Sequence, residues 1–455
     1  MTSLYTRFKN VIDHHQLLEP DDTIIAAVSG GVDSIVLLDL LFRLKKDRNY
    51  NFKLIAAHLN HSTRNGASDL DQNLVKKFCS SRSIILKTRK VNISHKVKNC
   101  NKSFEMVARD VRYDFFANIA ENAKIATGHT LDDHVETLLL RIFKGAGMPG
   151  LCGIAYQSDN VIHPLRFAKK SELYEYASTN ALNYNEDKTN YENTCDRNII
   201  RNNILPEIEK NLNPDYYSAL DRLSKIARET DNFLLQQSQK YLVELSVQLT
   251  SWYQSLKLDG LKELHDALIK KIILVVCNRL IPHSTIEYTY YQQLLEQLKH
   301  ESQGQLLKIN SNLAANFDRD CLIIYNKKAQ DWQESRIKIN ENISTKSFYF
   351  SSQIVKDWSR NKSPNIEFID YNKISGNLKL RHWRKGDIFQ PVNFAHSKKL
   401  SDFFIDNKIP KFKKHQVPIL TDDDYIIWIC GHRLSDKYKI DDRTDRVVRL
   451  EYREK

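Results

Sequence analysis

The chain has 455 residues, 41% of them hydrophobic and 27% charged, with a formal net charge of +12. That length accommodates two or three domains, and no run of about eighteen apolar residues offers a membrane span. Seven cysteines without a Cys-x-x-Cys pair argue for reduced thiols in a cytoplasm, and against a disulfide framework, a zinc site or an iron–sulfur site. The basic balance suits a large anionic partner such as nucleic acid, because neutralised phosphates release counterions.

The first nine residues are amphipathic and lack a signal-peptide core. Thr23–Val28 is an apolar run of strand length. It leads into Ser29-Gly30-Gly31-Val32-Asp33-Ser34 and then a helical pattern over Ser34–Lys46. Glycines let backbone N–H groups come close to a ligand, and a helix N-terminus offers unpaired donors for phosphate. Neither the Walker spacing nor Gly-x-Gly-x-x-Gly is present. The plainer alternative is a glycine-rich turn with Asp33 capping the helix. Strands at Phe52–Asn60, Ile84–Lys90 and Lys124–Thr127 alternate with helices at Asp69–Ser81 and Phe104–Asn122. This predicts a parallel sheet covered on both faces, with ligands at the carboxyl ends of its strands. Ser94–Lys102 is basic and polar and reads as a mobile loop.

From Asp215 to Lys299 the pattern is helical, with Leu220, Leu223, Ala227 and Leu234 at helical spacing. Cys321–Tyr325 is strand-like, and the polar stretch after it reads as poorly ordered. Beyond Leu378 the chain is strand-rich and basic, with strands at Leu378–Trp383 and Tyr425–Cys430. The fold class is α/β: a parallel-sheet, Rossmann-like domain over 1–214, a mainly helical domain plus linker over 215–370, and a small basic α+β domain over 371–455.

Four clusters of the first domain carry chemistry. His58-Leu59-Asn60-His61-Ser62-Thr63-Arg64 closes the second strand and reaches the same crevice as the glycine loop. It suits nucleotide or phosphate; a metal on His58 and His61 lacks an obvious third ligand. Glu105, Arg109 and Arg112 share a helix face, as an ion-pair surface or as an anion clamp. In Thr127-Gly128-His129-Thr130-Leu131-Asp132-Asp133-His134-Val135-Glu136-Thr137, Gly128 permits close approach at a strand end and Thr130 caps a helix. The acids there suit the helix dipole, but capping needs one acid, not three. Such a cluster can hold Mg²⁺ or pair with an ammonium group. Gly145–Leu151 is a glycine loop that a plain helix stop explains equally well.

The loop Ser29–Ser34 resembles the PP-loop of the ATP-pyrophosphatase superfamily, whose members cut ATP between the α- and β-phosphates. Taken with the later motifs, the chain resembles the tRNA(Ile)-lysidine synthetase family. The matching segments are His58-x-Asn60-His61-x-x-Arg64, Glu105 to Tyr113, Thr127 to Thr137, His163 to Arg166, Asp187-x-Thr189-Asn190 and Arg197-Asn198-x-x-Arg201. In the C-terminal part they are Arg381-x-x-Arg384-x-Gly386-Asp387, Lys398-Lys399-Leu400 and Trp428-x-x-Gly431-x-Arg433. His163 stands where the family often has arginine and receives no role.

The resemblance implies a ligase that uses ATP and Mg²⁺, acting on tRNA(Ile) with the anticodon CAU and on free L-lysine, in the cytoplasm and away from membranes. A homodimer is left open. ATP would adenylate O2 of the wobble cytidine, and the lysine amine would then displace AMP at C2, changing identity from methionine to isoleucine. Ser29, Gly30, Gly31, Val32, Asp33, Ser34, His58, Arg112 and Gly128 would bind the nucleotide, with Asp33 on Mg²⁺. Asp133 and Glu136 would grip the lysine ammonium, and one of them or His129 would take its proton. Arg197, Arg201, Arg381, Arg384, Lys398 and Lys399, with Lys411, Lys413 and Lys414, would meet tRNA phosphates. A PP-loop thiolase is disfavoured because Cys79, Cys100 and Cys152 are single. A glutamine-dependent ligase is disfavoured because residue 2 is threonine. The intact loop and acids disfavour a non-catalytic tRNA-binding protein.

Overall fold

The aliphatic runs of the first half form a sheet because each can be buried on both faces. In the computed structural model, which describes residues 2–60, 67–92, 104–186, 196–299, 306–330, 332–356, 358, 363–410 and 412–455, these runs are β1 (Asp22–Ala27), β2 (Phe52–Asn60), β3 (Ile85–Lys90) and β4 (Lys124–Ala126). Two short strands, β5 (Gln157–Ser158) and β6 (Val161–Ile162), complete a sheet of order β3-β2-β1-β4-β6-β5. It is parallel from β3 to β6, and β5 is antiparallel at the edge. Strand β3 is the opposite edge; its Lys87, Arg89 and Lys90 are exposed, and such charges discourage edge-to-edge pairing. His61, Ser62, Thr63, Arg64, Ser94–Lys102, Cys100, Asp187, Thr189, Asn190, Lys411 and the Glu105 side chain lie outside the described residues.

The helices of this half are α1 (Leu4–His14), α2 (Val32–Lys46), α3 (Ala67–Ser81), α4 (Phe104–Ala117), α5 (Leu131–Phe143), α6 (Met148–Leu151), α7 (Lys170–Thr179), α8 (Asp196–Ile199), α9 (Leu205–Asn211) and α10 (Tyr216–Leu245). Helix α2 is apolar almost all round and is buried accordingly. Its Ile35, Val36, Leu38 and Leu41 pack with Phe8 and Ile12 of α1 and with Ile24, Ala26, Leu54 and Ala56 of the sheet. The alternate residues Ile25, Ala57 and Ile125 face the other way, onto Phe115 and Phe116, as the two-residue period of strands requires.

Residues 1–232 and 233–455 form two compact units. In the second, Leu242 and Leu245 pack with α12 (Asp266–Leu280), α13 (Tyr288–Lys299) and a five-stranded antiparallel sheet, with the short α11 (Leu258–Lys262) alongside. That sheet joins β7 (Ser246–Leu249), β8 (Tyr253–Lys257), β9 (Leu306–Lys308), β10 (Leu313–Asp318) and β11 (Cys321–Asn326). The helical reading of this stretch holds for its three long helices, and the sheet is an addition to it. The polar stretch that follows is not poorly ordered where it is described. It contains β12 (Ser335–Arg336), β13 (Asn342–Ser344), β14 (Phe348–Val355) and β15 (Ile366–Asp370). Strand β14 pairs along its whole length with β22 (Val447–Glu454), nearly a hundred residues later, which buries its Ser351 and Ser352. A second antiparallel sheet, β12-β16-β19-β20-β21, includes β16 (Leu378–Arg381), β19 (Ile419–Asp422), β20 (Tyr425–Ile429) and β21 (Arg433–Leu434), and between them β17 (Ile388–Phe389) and β18 (Lys398–Lys399) pair as a two-stranded ribbon. Helix α14 (Leu400–Asp406) covers part of it through Leu400, Phe403 and Phe404. Among the described residues no helix is long and apolar enough to cross a membrane, and Cys79, Cys152, Cys277, Cys321 and Cys430 are unbridged.

Candidate active site

Strand β1 lies between β2 and β4, so the chain order reverses there, and the crevice at such a switch point is where open α/β sheets bind ligands. The loop after β1 is stapled by Ser34. Its Oγ accepts from the N–H groups of Ser29 (3.1 Å) and Gly30 (3.2 Å) and donates to the Gly31 carbonyl at 2.9 Å. The Ser29 and Gly30 N–H groups are therefore spent within the loop and not offered to a nucleotide. Gly31 caps α2, and the first-turn donors of Val32, Asp33 and Ser34 remain for an anion. Gly30 has φ +101°, and a Cβ there would stand 3.1 Å from Cβ of Asp71. Gly128, at the end of β4, would place a Cβ 3.1 Å from the Asp33 carbonyl. The close approach it permits is that of β4 to the loop's own backbone.

The acids stand at the start of α5. Thr130 caps the helix: Asp133 Oδ2 accepts from Thr130 N (2.9 Å) and Oγ1 (3.0 Å), so Asp133 does serve as a cap. Asp132 accepts from the Lys170 backbone N–H at 2.8 Å and from the Tyr217 hydroxyl at 2.7 Å. Glu136 has no exposed surface. Arg201 grips it twice, Nε to Oε1 at 2.6 Å and Nη2 to Oε2 at 2.9 Å. Arg197 Nε lies 3.0 Å from Oε2 as an ion pair, with its N–H off the line of a hydrogen bond. Arg197 Nη2 also donates to Thr137 Oγ1 at 3.0 Å and stands 3.7 Å from Asp133 Oδ1. Arg197 and Arg201, expected at tRNA phosphates, are thus turned onto the acids, and Glu136, expected at an ammonium, is already held by two guanidinium groups. Residue spacing shows which side chains share a helix face, not which helix that face meets.

These elements enclose a cavity of about 790 Å³, lined by the phosphate loop, His58, Asn60, Asp71, Arg112, Gly128, His129, Asp132, Asp133, Lys170, Asn185, Arg197 and Arg201. Burial pushes the Asp33 carboxyl up to about 6, with Lys170 pulling it back and Asp133 adding to the rise. Burial would raise Asp133 as well, but Arg197, His129 and the Thr130 bonds outweigh it and hold the group low. Burial raises Glu136 against the pull of Arg201. Burial lowers the His129 imidazole below its usual range against the pull of Asp133; its Nδ1 lies 2.7 Å from Thr127 Oγ1 and its ring packs edge-on against His163. His58 donates from Nδ1 to the Val28 carbonyl at 2.9 Å, which leaves its buried Nε2 an unpartnered acceptor. Residue patterns did not single out Lys170, Asp71 or Asn185. Asn185 N–H donates to the Gly30 carbonyl at 3.0 Å, and its side chain donates to Asp71 Oδ1 at 2.7 Å.

Among the described residues no cluster of three or more metal-ligating side chains exists. Mg²⁺ does not need one, since it is commonly held by one or two carboxylates together with substrate phosphates and water. Asp33 Oδ1, buried without a hydrogen-bond partner, fits that role.

In the second unit, Arg381 is 4% exposed and forms a two-pronged pair with Asp387 at 2.8 and 2.9 Å. It is a structural residue, not the phosphate contact that was expected. Arg384 is exposed, with Glu334 Oε2 at 3.1 Å. Lys398 pairs with Asp406, Lys399 is exposed, and Lys413 pairs with Glu454 at 3.2 Å.

The model of the PP-loop domain matches residues 2–208, and that of the TilS substrate C-terminal domain matches residues 378–452. A tRNA(Ile)-lysidine synthase of Clostridium tetani is 31% identical over 97% of this chain and 96% of its own length. One from Clostridioides difficile is 29% identical over 99% of both chains. Among solved structures, the U34-tRNA thiolase NcsA from Methanococcus maripaludis aligns with a TM-score of 0.41 at 21% identity, over 49% of this chain and 78% of that one.

Proposed function

Since the chain belongs to the tRNA(Ile)-lysidine synthase family, we propose that this ATP-using ligase joins free L-lysine to C2 of the wobble cytidine of tRNA(Ile) with the anticodon CAU, in the cytoplasm. The observation that carries the reading is one cavity lined both by the phosphate loop and by Asp132 and Asp133 of α5, with Glu136 buried behind them. In the first step the first-turn N–H groups of α2 hold the triphosphate. His58 Nε2 accepts from the nucleoside, and Arg112 offers a fork of donors to the α-phosphate. Asp33 would hold Mg²⁺, which when bound screens phosphate charge. The target base must leave its stack to enter the cavity, as in other base-modifying enzymes. Cytidine O2 bonds to the α-phosphorus and pyrophosphate leaves.

In the second step the lysine ε-amine attacks C2 and AMP departs. Carboxylates hold the amine as ammonium and thereby disfavour its neutral, attacking form. Proton transfer is therefore part of the step, with Asp133 or His129 as acceptor. Glu136 can meet the ammonium only by exchanging one cation for another. Lysine takes the place of a guanidinium on Asp133 and Glu136, and Arg197 or Arg201 turns to a phosphate of RNA or adenylate. The exchange leaves the charge of the acid cluster balanced, which a simple addition of lysine would not. In the second unit, the exposed Arg384 and Lys399 would meet tRNA phosphates. Purified protein with α-labelled ATP and tRNA transcripts tests the reading. AMP release should require lysine and the wobble cytidine together. Release that ignores lysine but needs a sulfur donor would overturn it.

A further inference from the structure

Four cationic side chains line the cavity among the described residues. Arg197 and Arg201 are bound to Glu136 and Asp133, and Arg112, on α4, is taken by the α-phosphate in the reading above. Lys170 differs from these. It opens α7, its backbone N–H is fixed by Asp132 Oδ2 at 2.8 Å, and its Nζ stands 3.9 Å from Asp33 Oδ2, beyond hydrogen-bond length. Its side chain is 26% exposed. Asp33 belongs to the phosphate loop, so a polyphosphate held by the first turn of α2 comes within reach of this ammonium. The cavity wall also carries Asp33, Asp71, Asp132 and Asp133. A triphosphate entering among these carboxylates needs a cation that is not already taken, and a loosely paired lysine changes partners more readily than a two-pronged arginine.

We propose that Lys170 is a catalytic residue of the adenylation step: its ammonium leaves Asp33 for the β- and γ-phosphates of ATP and stabilises the departing pyrophosphate. The inference rests on the ligase reading above for the identity of the step. Cytidine O2 forms its bond to the α-phosphorus as the bond from that phosphorus to the bridging oxygen breaks. The electron pair stays on the bridging oxygen, the base takes up the positive charge, and Lys170 keeps its proton throughout. Asp33, released from Lys170, is then free for the metal.

The test compares the full-length protein with Lys170→Met and Lys170→Arg. Calorimetry in magnesium buffer measures binding of an ATP analogue with a methylene bridge between the α- and β-phosphates, and of AMP. Lys170→Met should weaken the analogue about tenfold or more, as expected for loss of a charge-assisted contact, and leave AMP unchanged. It should also slow single-turnover pyrophosphate release at saturating ATP, with lysine KM unmoved. Lys170→Arg should recover most of both losses, which separates lost charge from lost fold. Equal losses for analogue and AMP, or no loss for either, would overturn the proposal. AMP release by wild-type protein that needed neither lysine nor tRNA would sink the ligase reading, while the analogue–AMP comparison would still decide on Lys170.

Discussion

Asp33 is held in a poor state for an acid at neutral pH: burial pushes it up to about 6, Lys170 draws it back, and Oδ1 has no partner. An acid with a raised pKa is protonated below it and ionised above it. If the ionised form receives the metal, kcat/KM for ATP rises with pH through about 6 and levels off beyond. Asp33→Asn should remove that limb and lower kcat/KM by roughly a hundredfold, on the scale of one preorganised electrostatic group. A wild-type profile flat from about pH 5 to 7.5 would remove Asp33 from the step. Arg201 gives a second test at this scale. It holds both oxygens of Glu136, so under the proposed cation exchange it competes with lysine for that carboxylate when tRNA is absent. Arg201→Ala should tighten lysine binding to the tRNA-free protein several-fold while turnover falls. Unchanged lysine affinity would mean that Glu136 never releases its arginine.

Helix α5 is fixed from behind by a buried polar network, and this is where element and site meet. His134 is fully buried one residue after Asp133. Its Nε2 lies 3.0 Å from both Ser224 Oγ and Arg166 Nη2, and its Nδ1 accepts from the Ile154 N–H at 3.0 Å. Arg166, 2% exposed, continues to Asp221 Oδ1 at 2.9 Å. Burial, then the Arg166 charge, presses His134 down to about 3, against the opposing pull of Asp221. A histidine depressed on folding contributes stability that is complete above its unfolded pKa near 6.5 and is lost as pH falls towards 3. The loss is on the order of 4 kcal/mol. Urea midpoints at pH 7 and pH 4 should differ accordingly, and the difference should shrink in His134→Gln; an unchanged difference would clear His134. Strands β1 to β4 were legible to within a residue or so because runs such as Ile24–Ile25 and Leu54–Ile55 are buried on both faces and read as continuous apolar stretches; the two-residue β6 was not. Of the antiparallel sheet at 246–326 only β11 was legible, as the strand-like Cys321–Tyr325; the other four strands were not. Its strands are short, Gln254 and Ser255 are buried polar residues within it, and its pairing joins segments some seventy residues apart. Strand β14 escaped notice for the same reason: its central Ser351 and Ser352 look solvated until β22 covers them.

At the scale of the whole molecule, motif residues said that a phosphate loop, acids and arginines belong to one crevice, but not which cation sits on which anion. Arg381, Arg384, Arg197 and Arg201 look alike along the chain, and only packing separates the buried Arg381 from the exposed Arg384. The net charge of +12 is therefore not all available to tRNA, and the two C-terminal arginines make the distinction measurable. Arg384→Ala removes an exposed cation whose pairing with Glu334 contributes about 0–1 kcal/mol. It should leave the melting temperature unchanged, weaken tRNA several-fold, and reduce the slope of log affinity against log salt by about one. Arg381→Ala strips the half-buried Asp387 of its two-pronged partner and leaves it the Arg384 backbone N–H alone, and should destabilise the second unit by about 3 kcal/mol. Its salt slope should match wild type at temperatures where the variant is folded. If instead Arg381→Ala melted like wild type and lost a full unit of salt slope, Arg381 would have to reach RNA from a position in which this structure buries it, and the tRNA-facing surface would have to be redrawn around it.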